Sequence, residues 1–283
     1  MVSYDTKTTT FSPEGKIYQV EYAMQAVNSA GLCFAIKGAD SIVLLVQNKV
    51  ISKLLDKGQV TVSGEEEEKE VFSKPQISTI ISKLGCISDK LFQIDSHFVA
   101  ATAGLAPDAH RLVQYLREVS LNNYKNFGEP VAVSKAVRYV ADWKQRLTQH
   151  GGSRPFGVSL IYCGKEGDNL MLYSSDPSGN YQQNKATAIG NESSSVINEL
   201  NTQLGDQSLD QLDSEKLLKL SLKVVLATIF SGSDLLNNNS LEAYVIKTNE
   251  PVEPEFEWEK TEPLDIQVLN YIELNNLIHE IRA

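Results

Sequence analysis

The chain has little of what metal, redox and membrane chemistry require. Its cysteines are Cys33, Cys86 and Cys163, odd in number, far apart and without a CxxC pair, so neither a disulfide framework nor a zinc site is suggested. His97, His110, His150 and His279 show no HExxH spacing, and none lies at ligand distance in sequence from a cysteine, so no metal and no cofactor is expected. The apolar run at 42–46 falls far below the roughly 20 residues of a membrane span. The start, MVSYDTKTTT, carries no apolar segment of a secretory signal. Positive charge is short as well: a net charge of −10 argues against nucleic acid, whose phosphates draw on clustered Lys and Arg. The expectation is an intracellular soluble protein. Its 283 residues, 42% hydrophobic and 22% charged, suffice for a sizeable core.

The most informative stretch lies near the start. A polar arm runs through Ser12-Pro13-Glu14-Gly15 into a helix on which Ile17, Val20, Met24 and Val27 recur at three- and four-residue spacing. One face of that helix must find an apolar partner. Pro13 fixes its own backbone angle and Gly15 supplies permissive turn geometry, so the turn aims the arm.

Further along, 32–37 and 42–46 read as strands closed into a hairpin by Gly38-Ala39-Asp40. A strand at 98–103 precedes a helix that Pro107 starts, with Leu112, Leu116 and Val119 on one face. A second helix carries Val133, Val137, Val140 and Leu147 and stops at Gly151-Gly152, suited to a C-terminal cap. Strands at 158–163, 170–174 and 186–189 follow, then helices at 194–204 and 214–230, a strand at 241–247 and a last helix over 265–281. The 214–230 helix is apolar on more than one face, which predicts burial against a neighbouring helix as well as a sheet. This order predicts a layered α+β domain rather than alternating βαβ units.

The stretch YDTKTTTFSPEGKIYQVEYA resembles the N-terminus of the alpha-type subunits of the proteasome core particle, matching at Tyr4, Asp5, Phe11, Ser12, Pro13, Glu14, Gly15, Gln19, Val20, Glu21, Tyr22 and Ala23. The likeness resumes at DKLFQID, VAATAGLAPDAHRLV, HGGSRPFGVSLIY, SDPSGNYQQNKATAIG and the final helix. It implies the four-layer αββα sandwich of the N-terminal-nucleophile hydrolases, one domain over 1–283 with an N-terminal helix and a tail at 1–12. It departs from the family between Asp56 and Asp89, where relatives need only a handful of residues and this chain carries 57–88 with Glu65-Glu66-Glu67-Glu68. That segment reads as a solvated, mobile loop without a function of its own, as a partner- or cation-binding loop, or as an artefact of sequence annotation.

The mechanism of that hydrolase class needs a Thr, Ser or Cys whose own free amine is the base. Alignment with a catalytic beta-type subunit puts Gly31 at the nucleophile position and Gln47 where an acidic side chain assists. No catalytic residue is therefore expected, and residues 1–30 are retained, which locks the amine of Gly31 in a peptide bond. Cys33 reads as a small core residue, Ser178 as part of an Asp-Pro-Ser-Gly turn, and HGGSRPFG as a helix stop and turn with Arg154 a structural or interface cation. An active or self-processing amidohydrolase of the same fold is the rival reading, and a stand-alone interaction module a third.

Carried over residue by residue, the resemblance assigns a gate to Tyr4, Asp5, Thr6, Lys7, Pro13 and Tyr22, with Thr6-Lys7 in place of the family's arginine. Lysine offers a point charge instead of a planar fork. It also implies a pocket, formed by Lys90 with Ala30 and Leu105, that takes the C-terminal carboxylate of activators. The partners implied are other alpha subunits in a heteroheptameric ring, beta-ring subunits, and regulators with C-terminal tails, in cytoplasm and nucleus.

Overall fold

The computed structural model describes residues 7–48, 90–167, 169–205, 209–229, 241–248 and 264–269, with positions 274, 277, 278, 280 and 281. The acidic 57–88 segment lies outside them.

A first helix, α1 (Tyr18–Asn28), leads into a hairpin of β1 (Cys33–Lys37) and β2 (Ser41–Gln47). Gly38 closes it by donating its N–H to the Ser41 carbonyl at 2.8 Å. Next come β3 (Leu91–Asp95), β4 (Phe98–Gly104), α2 (Ala106–Phe127), α3 (Val133–Gln149), β5 (Val158–Glu166), β6 (Asn169–Ser175), β7 (Tyr181–Gln183) and β8 (Ala186–Ile189). The chain continues with α4 (Ser193–Leu204), α5 (Ser214–Thr228), β9 (Leu241–Thr248) and β10 (Leu264–Val268). Among the described residues the strands form two five-stranded sheets, ordered β10-β9-β2-β1-β8 and β3-β4-β5-β6-β7. Neighbouring strands pair antiparallel throughout.

The layering follows from strand periodicity. Successive side chains point to opposite faces, so Phe34 and Ile36 of β1 and Val43 and Leu45 of β2 face α4 and α5 and meet Leu200, Leu217, Leu222 and Val225. Their alternates, Cys33, Ala35, Ile42 and Leu44, face the other sheet at Val99, Ala101, Ile161 and Leu172. The far side of that second sheet packs Phe98, Ala100, Leu160 and Tyr162 against Leu112, Leu116, Val137 and Val140 of α2 and α3. Both faces of each inner strand are thus buried, which is why they read as continuous apolar runs. Helix, sheet, sheet, helix is the expected αββα sandwich.

As expected, α5 packs on both α4 and β2 and buries residues on several faces. Three local readings differ. Residues 264–268 form β10 and pair with β9, Ile266 opposite Ile246, instead of starting a helix; helical backbone is described only at 274, 277, 278, 280 and 281. Alternation at Leu264, Ile266 and Val268 let an available strand edge capture a segment too short to hold a helix alone. The strands Leu91–Asp95 and Tyr181–Gln183 were not expected either, since each is a short edge of its sheet. Helix α3 ends in extended His150 rather than in a left-handed glycine cap.

Candidate functional site

The arm is described from Lys7, which is exposed; Tyr4, Asp5 and Thr6 lie outside the described residues. Ser12 organises the turn that follows. Its N–H donates to the Lys16 carbonyl at 2.8 Å, its carbonyl accepts the Gly15 N–H at 2.9 Å, and its hydroxyl oxygen accepts the Lys16 N–H at 3.1 Å. Gly15 sits at φ 77° with open space around it, so glycine is needed there for backbone freedom and not for room. Pro13 projects into solvent at the tip. On α1, Ala23 and Val27 are buried, whereas Ile17, Val20 and Met24 are only half-covered. Phe11 is 65% exposed and Tyr22 48%, its ring stacked on Tyr18 at 6.4 Å. The apolar face predicted for this helix is met by the chain's own core over only part of its width.

The ends of β1 and β2 behave in the opposite way. Lys90, just before β3, donates from Nζ to the Gly31 carbonyl at 3.0 Å and to the Gln47 carbonyl at 2.6 Å. The Gln47 side-chain oxygen accepts the Leu32 N–H at 3.2 Å, while the main-chain N–H of Gln47 donates to the Leu32 carbonyl at 2.8 Å. A Cβ added to Gly31 would stand 2.5 Å from the Gln47 oxygen and 2.5 Å from Lys90 Nζ. Gly190, at φ 94°, presses on the other side, where its own Cβ would come within 2.6 Å of the Gly31 oxygen. Asn191 then donates its N–H to the Ala30 carbonyl at 2.9 Å. Glu192, the one non-glycine residue with positive φ among the described residues, at 55°, turns this loop into α4. The position expected to lack a nucleophile therefore has no room for one.

The neighbouring groups are equally spoken for. The Cys33 thiol is fully buried and points to the Thr102 carbonyl at 3.5 Å. Burial raises its pKa to about 11 despite the nearby Lys90 charge, so thiolate, the reactive form, is scarce at neutral pH. Glu242 accepts from Asn48 Nδ2 and from the Tyr244 hydroxyl, each at 2.6 Å, leaving it held as a hydrogen-bond acceptor.

Of the three residues expected to line a docking pocket, Lys90 and Ala30 are brought together through Gly31. Leu105 is 43% exposed and lies against Gly157 beside Ala26, one helical turn toward the tail. Two features were not expected: Lys90 bridges main-chain carbonyls 59 and 43 residues away in sequence, and Arg154 makes a bidentate pair with Asp108 at 2.6 and 2.9 Å. Arg154, expected as a structural or interface cation, finds its partner in Asp108 at the start of α2. An acidic residue in a first helical turn was the available signal.

The chain is thus an αββα sandwich whose strand ends around Gly31 are closed, preceded by a turn-aimed arm and a half-covered helix. Residues 78–246 match the proteasome subunit family, and residues 4–26 match the N-terminal signature of its A-type subunits. A proteasome subunit alpha type-4 of Dictyostelium discoideum is 38% identical over 88% of this chain and 88% of its own length. One of Drosophila melanogaster is 36% identical, covering 80% and 76%. A probable proteasome subunit alpha type-3 of Schizosaccharomyces pombe is 37% identical, covering 82% and 81%. The chain belongs to the proteasome subunit family, on its alpha-type side.

Proposed function

We propose that the chain is a non-catalytic subunit of the alpha ring of a proteasome core particle, serving ring assembly, the substrate-entry gate and regulator docking in protein degradation. The observation that carries this reading is the closure of position 31, where Lys90 Nζ and the Gln47 carbonyl occupy the space a nucleophilic side chain would need. The amine of Gly31 is in addition tied up in its peptide bond with Ala30, so neither nucleophile nor base is available.

The gate is assigned to Tyr4, Asp5, Thr6, Lys7, Pro13 and Tyr22. The turn held by Ser12 sets the direction in which the tail leaves α1, and the half-covered apolar face of α1 receives a neighbouring subunit of a seven-membered ring. Beta-ring subunits and regulators complete the set of partners, in cytoplasm and nucleus. At the Lys90, Ala30 and Leu105 pocket, a regulator's C-terminal carboxylate meets an ammonium already fixed by two carbonyls, a preorganised charge needing little reordering on binding.

A covalent threonine-protease inhibitor applied to the purified particle tests the reading. Companion beta subunits should be labelled and this chain left unmodified, with its mature N-terminus near residue 1. A stoichiometric adduct on this chain, or a mature N-terminus at residue 32 or 33, overturns it.

A further inference from the structure

We infer that the Arg154–Asp108 ion pair is a positioning clamp for α1 and, through α1, for the tail; the second half of this rests on the gating reading above. The chain of contacts is short. Arg154 donates from Nη1 and Nη2 to the two oxygens of Asp108, and from Nη1 also to the Pro155 carbonyl at 3.0 Å. Asp108 Oδ2 accepts, in addition, the Gly157 N–H at 3.0 Å. The Gly157 carbonyl in turn accepts the N–H of Leu105, the residue that precedes α2, at 3.0 Å. One carboxylate thereby ties the 154–157 loop to the start of α2 at three donors.

Gly157 is where that lock meets α1. A Cβ there would lie 3.0 Å from Leu105 Cδ1 and 3.7 Å from the Ala26 Cβ, so the loop backbone is wedged between α1 and the Leu105 side chain. Room is short beneath it too, since a Cβ on Gly104 would fall 2.0 Å from the Gly157 oxygen. Ala26 adjoins Val27, one of the two residues that α1 buries. Because α1 rests on the body over so few buried side chains, its tilt depends on where Gly157 stands. The Ser12 turn is continuous with the other end of α1, so a change of tilt is carried to the tail. The bidentate fork suits this role, since two parallel N–H···O bonds fix direction as well as distance, which a lysine ammonium cannot do.

The test uses the assembled core particle carrying Arg154→Ala, Arg154→Lys or Asp108→Asn, each with and without deletion of residues 1–10. Two readouts are taken: hydrogen exchange of the α1 amides against those of α3, and basal hydrolysis of a small fluorogenic peptide. Arg154→Ala and Asp108→Asn should speed exchange in α1 severalfold while leaving α3 near wild type, and should raise basal hydrolysis. Arg154→Lys should fail to restore either readout, and it serves as the decisive variant if Arg154→Ala does not enter the ring. In the tail-deleted background the clamp variants should add nothing to hydrolysis, because their effect runs through the tail. Wild-type α1 exchange in Arg154→Lys and Asp108→Asn, or exchange that rises equally in α1 and α3, overturns the clamp. Faster α1 exchange in particles whose hydrolysis does not respond to deletion of the tail leaves the clamp standing and overturns the gating reading instead.

Discussion

The closed strand ends around Gly31 and the open arm ahead of α1 are close in sequence and opposite in character. At Gly31 the chain satisfies itself: two carbonyls share one ammonium, and neighbouring backbone leaves no space for a side chain. Along the arm it does not, for Phe11 and Tyr22 face solvent and Ile17, Val20 and Met24 of the helix that follows are only half-covered. Internal hydrogen bonds close the strand-end centre, whereas large apolar side chains stay exposed on the arm and the first helix. Interior substitutions should therefore be read as stability, and arm substitutions as gating with stability unchanged.

The interior end of that contrast is sharpened most by Lys144, a lysine sealed inside the molecule. It is fully buried and donates to the Val158 carbonyl at 3.0 Å and to Ser175 Oγ at 2.9 Å. Desolvation lowers its pKa from 10.5 to about 7. Below about pH 7 the lysine binds a proton in both folded and unfolded states. Between about 7 and 10.5 only the unfolded state binds it, so stability contributed at this site climbs with pH. The climb approaches about 1.4 kcal/mol per pH unit. In Lys144→Met it should vanish, and the difference in unfolding free energy between the two proteins across that range measures it. Buried Cys33 and Cys163, whose raised pKa values bend the curve the other way above pH 9, contribute equally to both proteins and cancel. A pH-independent difference would show that the lysine is charged in the fold.

Gly31→Thr breaks the contrast directly by offering the centre a nucleophile. Its Cβ collides with backbone and with Lys90, so a loss of about 1–3 kcal/mol is expected from overpacking, with no gain of activity. Thermal unfolding and inhibitor labelling check the two halves separately; an adduct at residue 31 would mean the centre can reopen.

Lys90→Ala should come next. It leaves the Gly31 and Gln47 carbonyls short of a donor, a penalty of about 1–3 kcal/mol, and it should weaken stimulation by activators that insert a carboxylate. An activator titration separates the effects: lowered stability with an unchanged titration would make Lys90 a structural staple only.

The smallest effect on stability belongs to the arm. Residues 7–10 belong to none of the hydrophobic clusters of the described core, so on deletion of residues 1–10 unfolding should stay at the wild-type midpoint while basal peptide hydrolysis by the unactivated particle rises. Equal hydrolysis by both particles would mean that this tail does not restrain the pore.

Much of this was written in local chemistry. The Ser12-Pro13-Glu14-Gly15 turn, the amphipathic α1, the Gly38 hairpin and the burial of α5 all follow from residue type and spacing, because turns, helices and amphipathic faces are decided within a few residues of chain. The absence of a side chain at position 31 is likewise plain in the sequence. Only the tertiary structure decided what fills that position, which strand edge captures Leu264–Val268, and what Arg154 grips. Sheet pairing and ion pairing join residues far apart in the chain, and their geometry depends on closing long loops against a packed core. No local spacing records it.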